Sequence, residues 1–321
     1  AHRGACGCDA TTGDGAGILI QLPHAFCVKV AADAGFDLPE AGQYAAGLVF
    51  LPPDEQQNQW CRTQLESVVR QEGQMVLGWR RVPVNPEKIG DLARSLQPAI
   101  WQIFIGRGDG INETAHFERK LYIIRKGVER LIADADVSQN AYFHIPSLSC
   151  RTLVYKGMFL ADQITPFYPD LRDPDLASAL AIVHQRYSTN TLPAWHLAQP
   201  FRFLCHNGEI NTLRGNLNWM NARQGLFAAD QFGEDIKKLL PVLTPEQRAD
   251  HLAAEVLHAL GLIGSDILLA EPDIVPGVVH ESQELVEAVI QRVLHRPAVE
   301  VGFANLLGRV SQRLQRLRQC L

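Results

Sequence analysis

Short apolar runs bounded by turn residues recur along this chain, and they recur at irregular intervals. Ile18-Leu19-Ile20 follows a glycine-rich loop, residues 44–52 and 75–82 form two further runs, and 147–159 and 199–206 add two more. Each has the length and the bounding Gly, Pro, Asp or Asn expected of a strand. The clearest helix lies among them, from Phe117 to Ala133. Its apolar residues Phe117, Leu121, Ile124, Val128 and Leu131 are spaced four, three, four and three apart, with Arg, Lys and Glu between. That pattern predicts one face against a core and one solvated face. Residues 176–190 also read as helical. Strands mixed with helices, without the regular strand–helix–strand period of a doubly wound sheet, predict an α+β fold.

With 321 residues, 46% hydrophobic and 20% charged, the chain can bury a sizeable core. A net charge of −5 excludes the concentrated positive field that nucleic acid or an anionic membrane surface selects. No apolar run reaches the roughly 18–20 residues of a membrane helix, and no charged-then-apolar leader opens the chain. Seven cysteines, odd in number and scattered, do not form a disulfide framework and point to a reducing cytoplasm. Cys6-Gly7-Cys8 lacks a second pair at zinc-site spacing. The chain opens Ala1-His2-Arg3-Gly4 without a methionine, which reads as processing or as a piece of something longer.

After Leu243 the composition changes. Thr244-Pro245-Glu246-Gln247 is a well-formed helix start, and 282–295 and 304–319 also look helical. Residues 244–321 hold no Lys, Trp or Tyr and a single Phe, Phe303. The sequence leaves two readings, a divergent helical tail or a frame error in the gene.

Four strings could carry chemistry, in this order. They are His2-Arg3-Gly4 with Thr12-Gly13-Asp14-Gly15-Ala16-Gly17, then Tyr155-Lys156-Gly157, then Arg186-Tyr187-Ser188-Thr189-Asn190-Thr191, then His206-Asn207-Gly208-Glu209-Ile210-Asn211. Asn207-Gly208 alone is a common hairpin turn. It is also an amide beside a backbone N–H, two donors able to hold an oxyanion. Arg186 is either a surface cation or a bidentate clamp for a carboxylate, with the Ser188 and Thr189 hydroxyls nearby. His184, His196 and His206 do not match a metal motif. No Gly-x-Ser-x-Gly elbow and no Gly-x-Gly-x-x-Gly helix entry is present.

Together these strings resemble the class II glutamine amidotransferases, the cysteine branch of the N-terminal-nucleophile hydrolases. The run from His184 to Arg202, with Pro193-Ala194-Trp195 and Ala198-Gln199-Pro200-Phe201-Arg202, is similar to the amidotransferase domain of glutamate synthases in particular. So is His206 to Thr212 followed by Gly215-Asn216 and Trp219. The resemblance covers residues 1–243, leaving 244–321 as a tail of unknown role. It implies a four-layer αββα sandwich with its first strand missing. It implies that Asn207 and Gly208 form the oxyanion hole and that Arg186, assisted by Thr189, holds the glutamine carboxylate. Arg3 and the Thr12–Gly17 loop would shape the site. The amino-group-binding Asp falls on Asp266, in Gly264-Ser265-Asp266, later than the family pattern has it.

In that family an N-terminal cysteine attacks the glutamine amide, with its own α-amino group as base. The Cys-Gly of the pattern belongs a few dozen residues before His2-Arg3-Gly4, so the chain as given is expected to be truncated and inactive. Cys6-Gly7 would serve only after cleavage behind Ala5. The expected activity is hydrolysis of glutamine to glutamate and ammonia for glutamate synthesis from 2-oxoglutarate. The alternative is a catalytically dead glutamine-binding or structural module of the same fold. The resemblance places FMN and an iron–sulfur cluster outside this chain, with no metal in it. It implies as partners glutamine, synthase domains of the same polypeptide, and a small electron-donating subunit or ferredoxin.

Overall fold

A computed structural model describes residues 11–135, 138–184, 193–202, 218 and 232–240 of the chain. The first sheet has the order β2-β4-β3, formed by β2 (Tyr44–Leu51), β4 (Ala99–Gly106) and β3 (Met75–Arg81). All its pairings are antiparallel, with Tyr44 opposite Gly106 and Leu51 opposite Ala99. Every residue of β2 is buried, because both faces of this sheet are covered. Ala45, Val49 and Leu51 of β2 and Ile103 and Ile105 of β4 face two helices, α2 (Glu55–Gln71) and α4 (Thr114–Ala133). Alternate residues Leu48, Phe50 and Ile100 turn to the opposite side, as the period of two requires.

On that opposite side lies the second sheet, of order β5-β1-β6: β1 (Ala16–Gln21), β5 (Thr152–Gly157) and β6 (Ala181–His184), again antiparallel. Its inner residues Ala16, Ile20, Leu153 and Tyr155 complete the core shared with β2 and β4. The chain reaches it along the edge of β2, where bridges join Phe50 to His144 and Ala46 to Ser149 before β5 begins. Mixed helices and antiparallel sheets make this an α+β fold. No described helix is long and apolar enough to cross a membrane.

Local sequence accounts for most of these elements. Asp54 caps α2 by accepting a hydrogen bond from the Gln57 amide at 2.9 Å. Cys61, Leu65, Val68 and Val69 then line its buried side. The short α1 (His24–Asp33) and α3 (Asp91–Ser95) cover the remaining edges of the two cores.

Three expectations are corrected. Residues 181–184 form β6 rather than continuing a helix, because they pair with β1, Gly17 opposite His184. Residues 199–202 are not a strand: Pro200 has no amide hydrogen to give a ladder, and Gln199-Pro200 is cis. The third correction concerns α4, which has no simple solvated face. Arg125 is 1% exposed, Lys126 4% and Glu118 5%. Leu131, assigned to the core by its spacing, is 37% exposed.

Candidate functional site

The glycine-rich loop at the head of β1 is enclosed on several sides. Thr12 is fully buried, and its Oγ1 accepts from the Ala93 amide of α3 at 3.4 Å. The Thr11 carbonyl accepts from Gln163 Nε2 at 2.8 Å. A Cβ on Gly13 would lie 1.9 Å from the Phe159 carbonyl carbon, so only glycine fits against that backbone. A Cβ on Gly17 would lie 2.4 Å from the Gln199 carbonyl oxygen and 2.7 Å from Lys156 Cβ. Glycine at these two places lets the loop and its strand meet the neighbouring backbone directly.

The sheet register brings two of the four strings together at this head, beside the end of β6. Ala16 and Gly17 pair with Gly157 and Lys156 on one side, and Gly17 pairs with His184 on the other. Lys156 is 1% exposed. Its Nζ donates to the His196 carbonyl at 2.8 Å and stands 5.1 Å from the Phe201 ring centroid. Trp195 Nε1 donates to the Ala93 carbonyl at 3.0 Å. Through that contact the Tyr155-Lys156-Gly157 string fastens residues 193–202 to β5. Arg202 is buried and donates to the Ile145 carbonyl and the Glu129 carboxylate.

Arg3, Arg186, Thr189, Asn207, Gly208 and Asp266 lie outside the described residues. The described chain stops at His184, two residues before Arg186, and at Arg202, five before Asn207. What the fold brings together is the frame around those strings.

Thiol chemistry at the described cysteines is unfavourable. Cys27, Cys61 and Cys150 are free and buried. Burial pushes the Cys27 and Cys61 thiols up to about 11. Burial and the neighbouring Glu118 carboxylate raise Cys150 further, and its Sγ donates to Glu118 Oε1 at 2.9 Å. A nucleophile needs the thiolate, which these sites suppress. Among the described residues no group of His, Cys, Asp and Glu could hold a metal ion.

Sequence reasoning missed one polar cluster, inside the core between the sheets. Arg80 of β3 grips Asp170 with two bonds, Nη2 to Oδ2 at 2.5 Å and Nη1 to Oδ1 at 3.3 Å. Its Nε donates to Gln102 Oε1 at 2.6 Å, and the Tyr155 hydroxyl donates to Asp170 at 2.9 Å. Burial, with Asp170 alongside, drives the Tyr155 phenol well above its ordinary range, so it stays a donor. No local pattern marks these residues, which come from four separate segments.

Two antiparallel sheets sharing a core, with the Thr12–Gly17 loop and Tyr155–Gly157 meeting at the head of one strand, define an α+β protein whose motifs resemble amide hydrolases. The sequence pattern of the glutamine amidotransferases, class II, matches residues 1–292, and the chain belongs to that family. It is 47% identical over 245 residues to the glutamate synthase [NADPH] large chain of Bacillus subtilis, covering 76% of this chain and 16% of that one. To the glutamate synthase [NADH] of Schizosaccharomyces pombe it is 40% identical over 270 residues, 82% of this chain and 13% of the relative. To ferredoxin-dependent glutamate synthase 2, chloroplastic, of Arabidopsis thaliana it is 39% identical over 247 residues, 76% and 15%. The chain thus spans about a sixth or less of these relatives' length.

Proposed function

We propose that this chain is the glutamine-hydrolysing domain of a glutamate synthase large chain, releasing glutamate and ammonia. The observation that carries the reading is the meeting of the Thr12–Gly17 loop, Tyr155–Gly157 and the end of β6 at one strand head. Arg186, with Thr189, would take the glutamine carboxylate, Asp266 the amino group, and Asn207 with Gly208 the developing oxyanion. The resemblance supports a four-layer sandwich for the whole domain and residues 1–243 as its extent; the helix start at Thr244 supports a divergent helical tail for 244–321, with a frame error as the alternative. The odd number and scatter of the cysteines support a cytoplasmic location.

Ammonia would pass to synthase domains of the same polypeptide and serve glutamate synthesis from 2-oxoglutarate. A ferredoxin or a small electron-donating subunit would supply electrons there. An iron–sulfur cluster needs several thiolates on one site, and the described cysteines, sealed in the cores, do not fit one. The resemblance to glutamate synthases assigns FMN and the cluster to the other domains.

The test is glutaminase turnover in a glutamate synthase polypeptide carrying this chain as its amidotransferase domain. Asn207→Ala should lower kcat by about 10²–10³ while glutamine still binds, because the lost donor acts on developing charge. A hairpin role predicts lower stability with kcat unchanged, and that result would sink the reading.

A further inference from the structure

Residues 232–240 lie against α4 as a short 3₁₀ turn, Gly233–Asp235, followed by one helical turn, Ile236–Leu239. Neither element is long enough to hold its shape alone. Phe232 and Leu239 are buried in one cluster with Tyr122 and Ile123 of α4, and Ile236 packs against it. Two buried apolar side chains are a small seat against the entropy of ordering the whole segment.

The rest of the seat is ionic. Four charges from three places in the chain close an alternating ring. Lys120 of α4 meets Glu72 at 3.2 Å and Asp235 at 2.6 Å. Lys238 meets the same two carboxylates at 2.8 Å each. Glu72 stands at the C-terminal end of α2. Two contacts of the ring, Lys120–Asp235 and Lys238–Glu72, therefore cross from the segment to the helices, and Arg130 of α4 adds a bond to the Lys238 carbonyl at 3.3 Å. Partial burial works to raise the Asp235 carboxyl, but Lys120 and Lys238 outweigh it and hold it below its ordinary range, so this acid is charged at neutral pH. Side-chain exposure climbs around the ring from 10% at Glu72 to 19% at Lys120, 25% at Asp235 and 48% at Lys238, so dissolved ions reach it.

We propose that residues 232–240 form a strap sensitive to ionic strength, clipped across α2 and α4 by this ring, which lifts while both sheets stay folded. Salt separates the two parts of the seat, because it screens exposed charge pairs and leaves apolar contacts in place. The ring shares its members, so loss of either crossing contact weakens the other, and the segment lets go as a unit. The inner side of α4 does not depend on the ring: Phe117, Leu121, Ile124 and Val128 are packed into the first core. Lifting the strap bares Tyr122 and Ile123 on the outer side of the same helix.

The test is hydrogen–deuterium exchange of the full chain at neutral pH, read by mass spectrometry on peptides from 232–240 and, as reference, from β2. Sodium chloride is raised from about 0.05 to about 1 M, which shortens the screening length to about 3 Å. Amides of 232–240 should exchange about five- to tenfold faster at the upper end, with β2 unchanged. Asp235→Asn should bring that faster exchange to low salt and remove most of the salt dependence. Should it fail to fold, Lys238→Gln at the most exposed ring position decides instead. Lys237→Gln touches only the surface pair with Glu234, outside the ring, and should exchange like the wild type. Exchange in 232–240 that ignores salt, or that rises in step with β2, overturns the strap. So does a ring variant indistinguishable from Lys237→Gln.

Discussion

Lys156 and Arg186 are two cations of the motif strings with different expected behaviour. Lys156 is buried with its ammonium on the His196 carbonyl, so it acts on structure. Lys156→Met keeps the stem and loses the charge-assisted bond, and should lower unfolding stability by about 1–3 kcal/mol without raising KM for glutamine. Arg186→Lys should do the reverse: a KM increase worth about 1–3 kcal/mol, from loss of bidentate geometry, with the melting temperature unchanged. A stability loss at unchanged KM would make Arg186 structural. Cys27 supplies a pH prediction. Its thiol rises from 9.0 to about 11 in the folded state, because burial disfavours the thiolate. A raised value means that the stabilisation is complete below the unfolded pKa and is lost as pH climbs through the folded one. Stability should therefore fall between about pH 9 and pH 11, by about 2–3 kcal/mol from this group. Urea titrations at the two ends of that window, in the wild type and in Cys27→Ala, check it, since the variant should lose this group's share of the fall while Cys61 and Cys150 keep theirs.

Helix α4 separates what periodicity can tell from what it cannot. Leu121→Ala should cost about 2–5 kcal/mol, as for a buried leucine, whereas Leu131→Ala should cost under about 0.5 kcal/mol, although both sit on one predicted stripe. Equal losses in denaturant titrations would contradict the burial pattern. The stripe was legible because apolar spacing records which side meets the first sheet. The burial of Arg125 was not, since the Glu129 carboxylate that it pairs with is also met by Arg202, far downstream. β2, β3 and β1 were likewise legible from their bounding turns. β4 escaped because its two covered faces erase alternation: Ala99 to Ile105 is apolar except for Gln102. Residues 177–182, rich in Ala and Leu, favour a helix locally, and pairing with β1 overrides that preference. The motif strings were readable because each is contiguous. The Arg80–Asp170 pair was not, with 90 positions between its partners.

Across the molecule, the Arg80–Asp170 pair ties the first sheet to the segment that joins β5 to β6 of the second. Asp170→Asn leaves a buried guanidinium without its counter-charge and should cost about 3–5 kcal/mol, read as a drop in the denaturation midpoint. A loss below about 1 kcal/mol would mean that solvent reaches the pair. The two sheets also differ in how far the chain must travel to build them. β2, β3 and β4 follow one another closely, with only helices and turns between. β1 has no such neighbours: its loop is closed by Gln163, 152 positions from Thr11, and its far end by Ser178, 157 positions from Gln21. During synthesis at about 5–20 residues per second, β1 therefore waits roughly 7–26 seconds for its first partner strand, β5. Through that interval Ile18, Leu19 and Ile20 stand as an unpaired apolar strand on the nascent chain, the kind of segment that holdase chaperones bind and that aggregates when they are scarce.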